Sequence, residues 1–213
     1  LLKEISKTED KIYEALKKDL NKHEFESFLS EVLLVKREIK LFLRKLRKWS
    51  KMKKVKGSIF NFPSSNYLIP EPYGQVLIIT PWNYPFQLSL TPLIGAVGAG
   101  NSVIIKPSEL APNTSSVLKE LIFNVFPQNL VSVIEGDAEK ELIQFPEKSF
   151  DYVVLSQTLQ AFLYPEKVLN QLLRIGKQTN VTIPNFGYWK IRLHLFFKGT
   201  MPVTKNIPYD WYN

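Results

Sequence analysis

The chain has 213 residues, 45% of them apolar, and a formal net charge of +8 at pH 7; this length and composition allow one large domain or two small ones and exclude global disorder. It contains no cysteine, which excludes disulfides, thiolate metal ligands and a thiolate nucleophile and makes a reducing cytoplasm the expected compartment. No apolar run reaches the ~20 residues that a membrane-spanning helix requires, so no transmembrane segment is predicted.

The first 50 residues predict an N-terminal helical segment. Ser6-Lys7-Thr8-Glu9 fits a capping box ahead of the apolar positions Ile12, Leu16 and Leu20. A second helix is predicted over roughly residues 24–49, where apolar residues recur at helical spacing. Residues 51–72 then form a polar, turn-rich connector in the prediction.

The positive charge is concentrated in one segment. Residues 36–56 hold eleven Lys or Arg and one acid, Glu38, so this segment carries +10 and the remainder −2. One interpretation is a surface for nucleic acid or acidic lipid. The other is the solvated face of an amphipathic helix. The sequence favours the solvated face and argues against nucleic acid, because no aromatic stacking platform or nucleic-acid motif accompanies the charge.

Strands and helices alternate from residue 76 onward. Strands are predicted at 76–80, 102–106 and 131–134, with helices at 86–99 and 112–125 between them. This βαβαβ pattern indicates a parallel sheet with right-handed crossovers. It continues with a strand at 150–156, a helix at 165–175 ending at Gly176, and a strand at 180–183. Residues 191–197 fit a strand or an amphipathic helix. The predicted fold is α/β, a single Rossmann-like parallel sheet with flanking helices, preceded by the helical segment.

Two polar groups follow neighbouring strands of this sheet. Pro81-Trp82-Asn83 comes directly after the first strand, and Lys106-Pro107-Ser108-Glu109 ends the next. The carboxyl edge of a parallel sheet is where ligands bind. A side-chain amide such as that of Asn83 can donate to a developing oxyanion, and a Lys with a carboxylate can hold ribose hydroxyls. By spacing alone these are ordinary turn residues. The three glycines at 95, 98 and 100 do not form a dinucleotide fingerprint and are expected to permit close helix packing.

From residue 1 to about 139 the chain resembles the aldehyde dehydrogenase superfamily, most closely its class 3, fatty-aldehyde-type branch. The motifs that carry the resemblance are Tyr13-Glu14-Ala15-Leu16-Lys17-Lys18-Asp19-Leu20, Glu71-Pro72-Tyr73-Gly74, Pro81-Trp82-Asn83-Tyr84-Pro85-Phe86, Pro92-Leu93-Ile94-Gly95-Ala96, Gly100-Asn101, Lys106-Pro107-Ser108-Glu109 and Glu135-Gly136-Asp137-Ala138. The resemblance implies that Asn83 is the oxyanion-stabilising amide. It also implies that Lys106 and Glu109 bind the adenosine ribose of NAD or NADP, while Thr80, Pro81 and Trp82 line the cofactor cleft.

This resemblance covers about the first third of such an enzyme. The family oxidises an aldehyde through a thiohemiacetal on a Cys and hydrolyses the resulting thioester with a Glu-activated water. Both residues lie downstream of the matching part, and the chain has no cysteine. An aldehyde is therefore the implied substrate, but no turnover is expected of this chain alone.

From about residue 136 onward the chain resembles the MetW family, class I methyltransferase-like proteins associated with methionine biosynthesis. The matching motifs include Ser149-Phe150-Asp151-Tyr152-Val153, Leu155-Ser156-Gln157-Thr158-Leu159-Gln160-Ala161, Leu173-Arg174-Ile175-Gly176, Pro184-Asn185-Phe186-Gly187, Arg192-Leu193-His194-Leu195 and Met201-Pro202-Val203-Thr204-Lys205. Ser156, Gln157 and Thr158 match positions near that family's cofactor pocket. The glycine-rich loop for S-adenosylmethionine is missing, so this cofactor is doubtful here. His194 is expected to be structural and His23 solvated, with no metal site.

The two resemblances meet within Gly136-Asp137-Ala138-Glu139, without a linker between them. We interpret this as a chimeric reading frame, from recombination or sequence assembly, with an aldehyde dehydrogenase-like NAD-binding part at 1–139 and a MetW-like part at 140–213. Three functions remain open: a truncated NAD(P)-dependent aldehyde dehydrogenase, inactive alone; a MetW-type methyltransferase-like protein; or a non-catalytic basic binding module. Oligomeric state cannot be read from the sequence.

Overall fold

A computed structural model gives the structure of the chain and describes residues 1–159, 162–183, 185 and 187–200, apart from the side chain of Glu139. The N-terminal segment is helical, as predicted. Its helices are α1 (Leu2–Lys7), α2 (Glu9–Leu20), α3 (Glu24–Ser27) and α4 (Leu33–Trp49), and a π-helical turn, Phe28–Val32, joins the last two. The predicted capping box is wrong. Ser6 lies inside α1, and the Thr8 hydroxyl donates to the Glu4 carbonyl at 2.9 Å, which closes α1 rather than opening α2.

The connector after α4 is more ordered than the sequence indicated. Strands β1 (Lys53–Val55) and β2 (Asn66–Leu68) pair antiparallel, and a 3-10 turn, Ile59–Asn61, lies between them. The prediction of a connector made only of turns missed this hairpin because each strand has three residues and is largely exposed. Such strands carry no alternation of apolar and polar residues.

Five parallel strands form the central sheet, in the order β5-β4-β3-β6-β7. They are β3 (Gln75–Ile79), β4 (Ser102–Lys106), β5 (Val131–Val133), β6 (Phe150–Ser156) and β7 (Gly176–Thr182). The connecting helices are α5 (Pro85–Gly98), α6 (Pro112–Val125), α7 (Ala138–Glu141) and α8 (Pro165–Ile175); a 3-10 turn, Leu142–Gln144, follows α7, and α9 (Trp189–Lys198) comes last. The α/β sheet with flanking helices is confirmed.

Two details at the end of the chain differ from the sequence-based expectation. Strand β7 begins at Gly176 rather than at residue 180, because Gly176 is already extended (φ −98°, ψ 141°) and its strand pairs with Phe150 at once. The chain therefore passes from α8 into β7 without a loop. Residues 191–197, which fitted either a strand or a helix, lie within α9.

A separate apolar cluster covers each face of the sheet. On one face α5 and α6 pack on β3 and β4, and α1, α2 and α4 pack outside them. Gly98 permits the close approach of α4 to α5, since a Cβ there would lie 2.7 Å from Cδ1 of Phe42. On the other face α8 packs on β6, β3 and the segment around Leu142. Among the described residues, no helix is long and apolar enough to cross a membrane.

Strand β6 belongs fully to the sheet that the preceding strands begin. Val153 and Leu155 pair in register with Leu77 and Ile79 of β3. The carboxylate of Asp151 accepts from the N–H of Gln75 at 2.8 Å and pairs with Lys177 of β7 at 2.7 Å. One sheet therefore spans residue 139, the point where the two sequence resemblances meet.

Candidate functional site

The strand order puts the topological switch point of the sheet between β3 and β6. Strands β4 and β5 lie on one side of β3, whereas β6 and β7 lie on the other. Connections that leave adjacent strands in opposite directions open a ligand crevice at the carboxyl edge, between β3 and β6 in this sheet. Thr80 and Pro81 follow β3 directly and are buried at this switch point, and Asn83 follows them at 6% exposure.

A buried ion pair from the N-terminal segment holds the turn at residues 81–84. The ammonium of Lys22 lies 2.5 Å from Oε1 of Glu31 and donates to the main-chain carbonyl of Asn83 at 2.8 Å. It also lies 4.2 Å from the centroid of the Tyr84 ring. Lys22 is 8% exposed and Glu31 is fully buried. The position of Asn83 therefore depends on residues more than fifty positions earlier in the chain.

The second oxygen of Glu31 binds the start of α5. Oε2 accepts from the N–H groups of Phe86 and Gln87 at 2.9 and 3.1 Å. These groups have no partner inside their own helix, and a carboxylate at a helix N-terminus is also favoured by the helix dipole. Burial raises the pKa of the Glu31 carboxyl, and Lys22 and the two N–H groups oppose that shift. Glu31 thus connects the Asn83 turn to the helix that follows it.

Sequence reasoning missed Lys22 and Glu31 as site residues. A signal was present for Glu31, because this acid lies four residues before Val35 and eight before Ile39, both buried on the same helical face. A charge on an apolar face indicates a buried partner. The sequence gives no comparable signal for Lys22, which lies among exposed charged residues in the chain.

Lys106 and Glu109 form an ion pair at the end of β4. The Lys106 side chain is 5% exposed and that of Glu109 is 41% exposed. The Glu109 carboxylate therefore faces solvent at the carboxyl edge, whereas the Lys106 ammonium is buried. The N–H of Thr80 donates to the Lys106 carbonyl at 3.1 Å, which ties this group to the end of β3. The Thr80 hydroxyl lies 2.8 Å from that of Ser89 in α5. The structure therefore places Thr80, Lys106 and Glu109 side by side.

A second carboxylate from the helical segment occupies the N-terminus of α6. Asp19 accepts from the N–H groups of Asn113 and Thr114 at 3.1 and 2.7 Å and from both of their side chains at 2.7 Å. Asp19 and Glu31 thus occupy the first N–H groups of α6 and α5. Those two helix ends are not open to a ligand phosphate, although helix N-termini commonly bind one. A ligand at this edge would be recognised by side chains and by the crevice itself.

In the resemblance to MetW, Ser156, Gln157 and Thr158 match positions near the cofactor pocket. These residues also lie at the carboxyl edge, at the end of β6, the strand next to β3. Ser156 ends β6, the Thr158 hydroxyl donates to its carbonyl at 2.8 Å, and the N–H of Gln157 donates to the Thr182 carbonyl at 3.0 Å. These contacts close the turn on itself and on β7.

His23 is exposed and caps α3, and His194 is half-buried in α9. In the described part of the chain no group of three His, Asp or Glu residues could hold a metal ion.

The arrangement fits the ribose of a nucleotide better than its phosphates. A solvent-facing carboxylate, Glu109, can accept hydrogen bonds from two vicinal hydroxyls, and the adjacent Lys106 ammonium can donate to one of them. Trp82, half-buried in the turn after β3, belongs to the same edge of the sheet. The residues present are therefore compatible with the adenosine half of a dinucleotide.

Two family models match the chain and overlap in its middle. The model of the aldehyde dehydrogenase family matches residues 1–153. The model of the methionine biosynthesis protein MetW matches residues 119–213. Both resemblances read from the sequence are confirmed, and the join between them falls in a region that both models describe.

Individual relatives extend the first match. The 4,4'-diaponeurosporen-aldehyde dehydrogenase of Staphylococcus aureus is 47% identical over 198 residues, which cover 90% of this chain and 42% of that enzyme. That match therefore continues past residue 139. An aldehyde dehydrogenase of Craterostigma plantagineum is 44% identical over 136 residues, or 64% of this chain and 28% of the enzyme. The chain spans well under half the length of these relatives.

Solved structures agree with this similarity. The substrate-bound state of Staphylococcus aureus AldH superposes with a TM-score of 0.74 at 39% identity, over 85% of this chain and 39% of that protein. A succinic semialdehyde dehydrogenase from Streptococcus pyogenes, in complex with NADP+, superposes at 0.73 with 15% identity, over 85% of this chain and 38% of that protein. The second likeness shows the shared fold alone.

Proposed function

Because the chain belongs to the aldehyde dehydrogenase family, we propose that residues 1–139 form the adenosine side of the NAD(P) cleft of such an enzyme. The observation that carries this proposal is the geometry of Lys106 and Glu109, a buried ammonium beside a solvent-facing carboxylate at the sheet edge next to the switch point. In this proposal Glu109 and Lys106 bind the adenosine ribose, and Thr80, Pro81 and Trp82 line the cleft. A cytoplasmic location is part of the same proposal.

Asn83 has the catalytic role in this proposal. Its side-chain amide would donate to the oxyanion that develops when a nucleophile attacks the aldehyde carbonyl. Lys22 would act on that role as a positioning residue, because it binds the Asn83 carbonyl from the opposite side of the turn. The NAD(P) that binds such a site supplies the hydride acceptor.

The chain by itself is proposed to be inactive towards aldehydes. The covalent route of the family needs a thiolate, and the 213 residues include no cysteine. The substrate class, an aldehyde, is taken from the Staphylococcus aureus relative, whose name is 4,4'-diaponeurosporen-aldehyde dehydrogenase. Aldehyde oxidation by the purified chain would show the inactivity proposal to be wrong.

Nucleotide binding provides the direct test. NAD and NADP are titrated into the full chain while the tryptophan fluorescence, to which Trp82 contributes, is followed. Lys106→Ala and Glu109→Ala are each expected to weaken binding by about tenfold or more, since a hydrogen bond to a charged group is worth about 1.5–3 kcal/mol.

The matched control is an ion pair between α2 and α6. Lys11 and Glu120 pair at 2.7 Å, and both side chains are roughly half exposed. Lys11→Ala and Glu120→Ala remove the same charges from the outer helices, so binding should stay unchanged. Equal losses in both pairs, or no binding of either dinucleotide, would contradict the proposed cleft.

The MetW-type alternative rests on the match to residues 119–213. It predicts that S-adenosylmethionine binds and that Lys106→Ala and Glu109→Ala leave this binding intact. The turn at 156–158, closed by its own hydrogen bonds, would be the part of the pocket that is present. Titration of S-adenosylmethionine into the wild type and these two variants separates the two candidates.

We further propose that the reading frame is chimeric, with parts at 1–139 and 140–213. The supporting observation is that two family models overlap at 119–153 with no linker between the regions they match. Long sequencing reads across the join in source DNA test this idea. Reads that never span residues 130–145 as one continuous frame would identify an assembly product, whereas continuous reads would leave only recombination.

A further inference from the structure

We propose that the outward face of α4, with the start of the following hairpin, is a docking surface for anionic phospholipid headgroups. The central group is Arg37, Lys40, Arg44, Arg47 and Lys48, called the basic stripe here. Arg37, Lys40 and Arg44 follow one another at three or four positions, and Arg47 and Lys48 lie three and four positions after Arg44, so all five lie on one side of the helix. All five are exposed. The opposite side of α4, with Val35 and Ile39, is buried against the core.

None of the five basic-stripe residues, all in the described part of the chain, forms an ion pair with a carboxylate. Nine ion pairs involve lysines in the described part of the chain, and within residues 36–56 only Lys36 takes part, through Glu9. Arg44 Nε donates to the carbonyl of Lys40 at 3.2 Å, which leaves its charge unneutralised. The one acid of the segment, half-buried Glu38, is not paired with any of the five. Like charges at this spacing repel each other, so an external anion would relieve the repulsion.

Exposed apolar side chains on and just after α4 favour a membrane surface as the partner. Leu43, three positions after Lys40, is 73% exposed, and Met52, just after the end of the helix, is 56% exposed. Lys53 and Lys54 of β1 continue the positive charge along the chain. Cations with exposed leucine and methionine among them suit the boundary between headgroups and acyl chains. A nucleic acid offers phosphates but no apolar phase for these side chains.

Vesicle co-sedimentation with the full chain tests the proposal. The probes are phosphatidylcholine vesicles with and without phosphatidylglycerol, at low and at physiological salt. Wild type should sediment with the anionic vesicles only, and the bound fraction should fall as salt rises, because exposed charges are screened. Replacing all five stripe residues by Gln should weaken binding by more than a hundredfold, since each basic residue near an anionic surface contributes about fivefold.

The control variant removes the same charge from elsewhere. Lys7, Lys11, Lys18, Lys119 and Lys140 are exposed lysines that already have carboxylate partners. Changing these five to Gln gives the same net charge and should preserve vesicle binding, with circular dichroism confirming that both variants fold. Three results would overturn the proposal: equal losses in the two variants, no binding of wild type to anionic vesicles, or tighter binding to duplex or single-stranded DNA than to vesicles at the same salt.

Discussion

The two parts of the molecule on either side of residue 139 differ in how far along the chain their charged side chains reach. In the first part, charged side chains of the helical segment satisfy main-chain groups of the sheet region: Asp19 at α6, Glu31 at α5 and Lys22 at Asn83. In the second part, Arg174 and Lys148 also donate to main-chain carbonyls, but only to carbonyls of the same part, and α9 buries none of its residues.

The difference shows which contacts depend on residue identity. Strand β6 joins β3 mainly through main-chain pairing and apolar packing, to which Asp151 adds one side-chain bond. The buried polar contacts of the first part require particular side chains. We therefore expect polar substitutions to be most damaging in the first part and apolar truncations to act equally in both.

The largest effect is expected from Glu31→Ala. It leaves Lys22 buried without its partner and the first N–H groups of α5 unsatisfied, and breaking a buried pair on one side costs about 3–5 kcal/mol. Denaturant unfolding measures the loss of unfolding free energy. The double variant Lys22→Met, Glu31→Leu should regain much of it, because no buried charge then remains. If Glu31→Ala lowers the unfolding free energy by less than about 1 kcal/mol, the Lys22–Glu31 pair contributes no more than a surface ion pair.

Leu155→Ala tests whether the second part is packed as firmly as the first. Leu155 is fully buried between the sheet and α8, and such a truncation costs about 2–5 kcal/mol. Ile105→Ala on β4, also fully buried, is the counterpart in the first part. If one sheet unfolds cooperatively, thermal unfolding shows a single transition that moves down in both variants. Two transitions, each sensitive to one variant, would show that the parts unfold separately.

Asp19→Ala should cost about 2 kcal/mol, because it removes a charged acceptor from two N–H groups of α6. The control is Glu14→Ala on the same helix, whose carboxylate is 65% exposed in an ion pair with Lys18. That change should cost less than about 0.5 kcal/mol. Chemical denaturation of both variants gives the comparison, and similar costs would argue against the capping role of Asp19.

The smallest effect concerns Asp151, which links the two parts through Gln75. A hydrogen bond from Lys177 and then one from the Gln75 N–H hold the pKa of this carboxyl below its usual range. Because the native pKa is lower than the unfolded value of about 4, the stabilisation is present above that value and disappears as pH falls through the native pKa. Asp151→Asn should therefore lower the melting temperature at pH 7, and the difference from wild type should vanish in strongly acidic buffer. A difference that does not change with pH would mean that the charge of Asp151 has no part in it.

Local patterns were sufficient for the elements that obey one clear period. Helix α6 and strand β6 have the predicted limits, because proline opens the helix and a seven-residue segment with five apolar residues forms the strand. The aldehyde dehydrogenase motifs likewise identified Asn83, Lys106 and Glu109 as candidates before any geometry was known. The β1–β2 hairpin and the early start of β7 were missed, since each depends on pairing with another segment. The π-helical turn at Phe28–Val32 was also missed, because it interrupts the helical period only locally.

The sequence by itself thus determined the α/β class, the order of helices and strands, and the family to which the chain belongs. Only the tertiary structure decided that β3 is the central strand, that the switch point lies between β3 and β6, and that Lys22 and Glu31 support the Asn83 turn. The physical reason is that periodicity and turn chemistry act over a few neighbouring residues. Strand order and buried ion pairs arise from contacts between segments that meet only after the chain has folded.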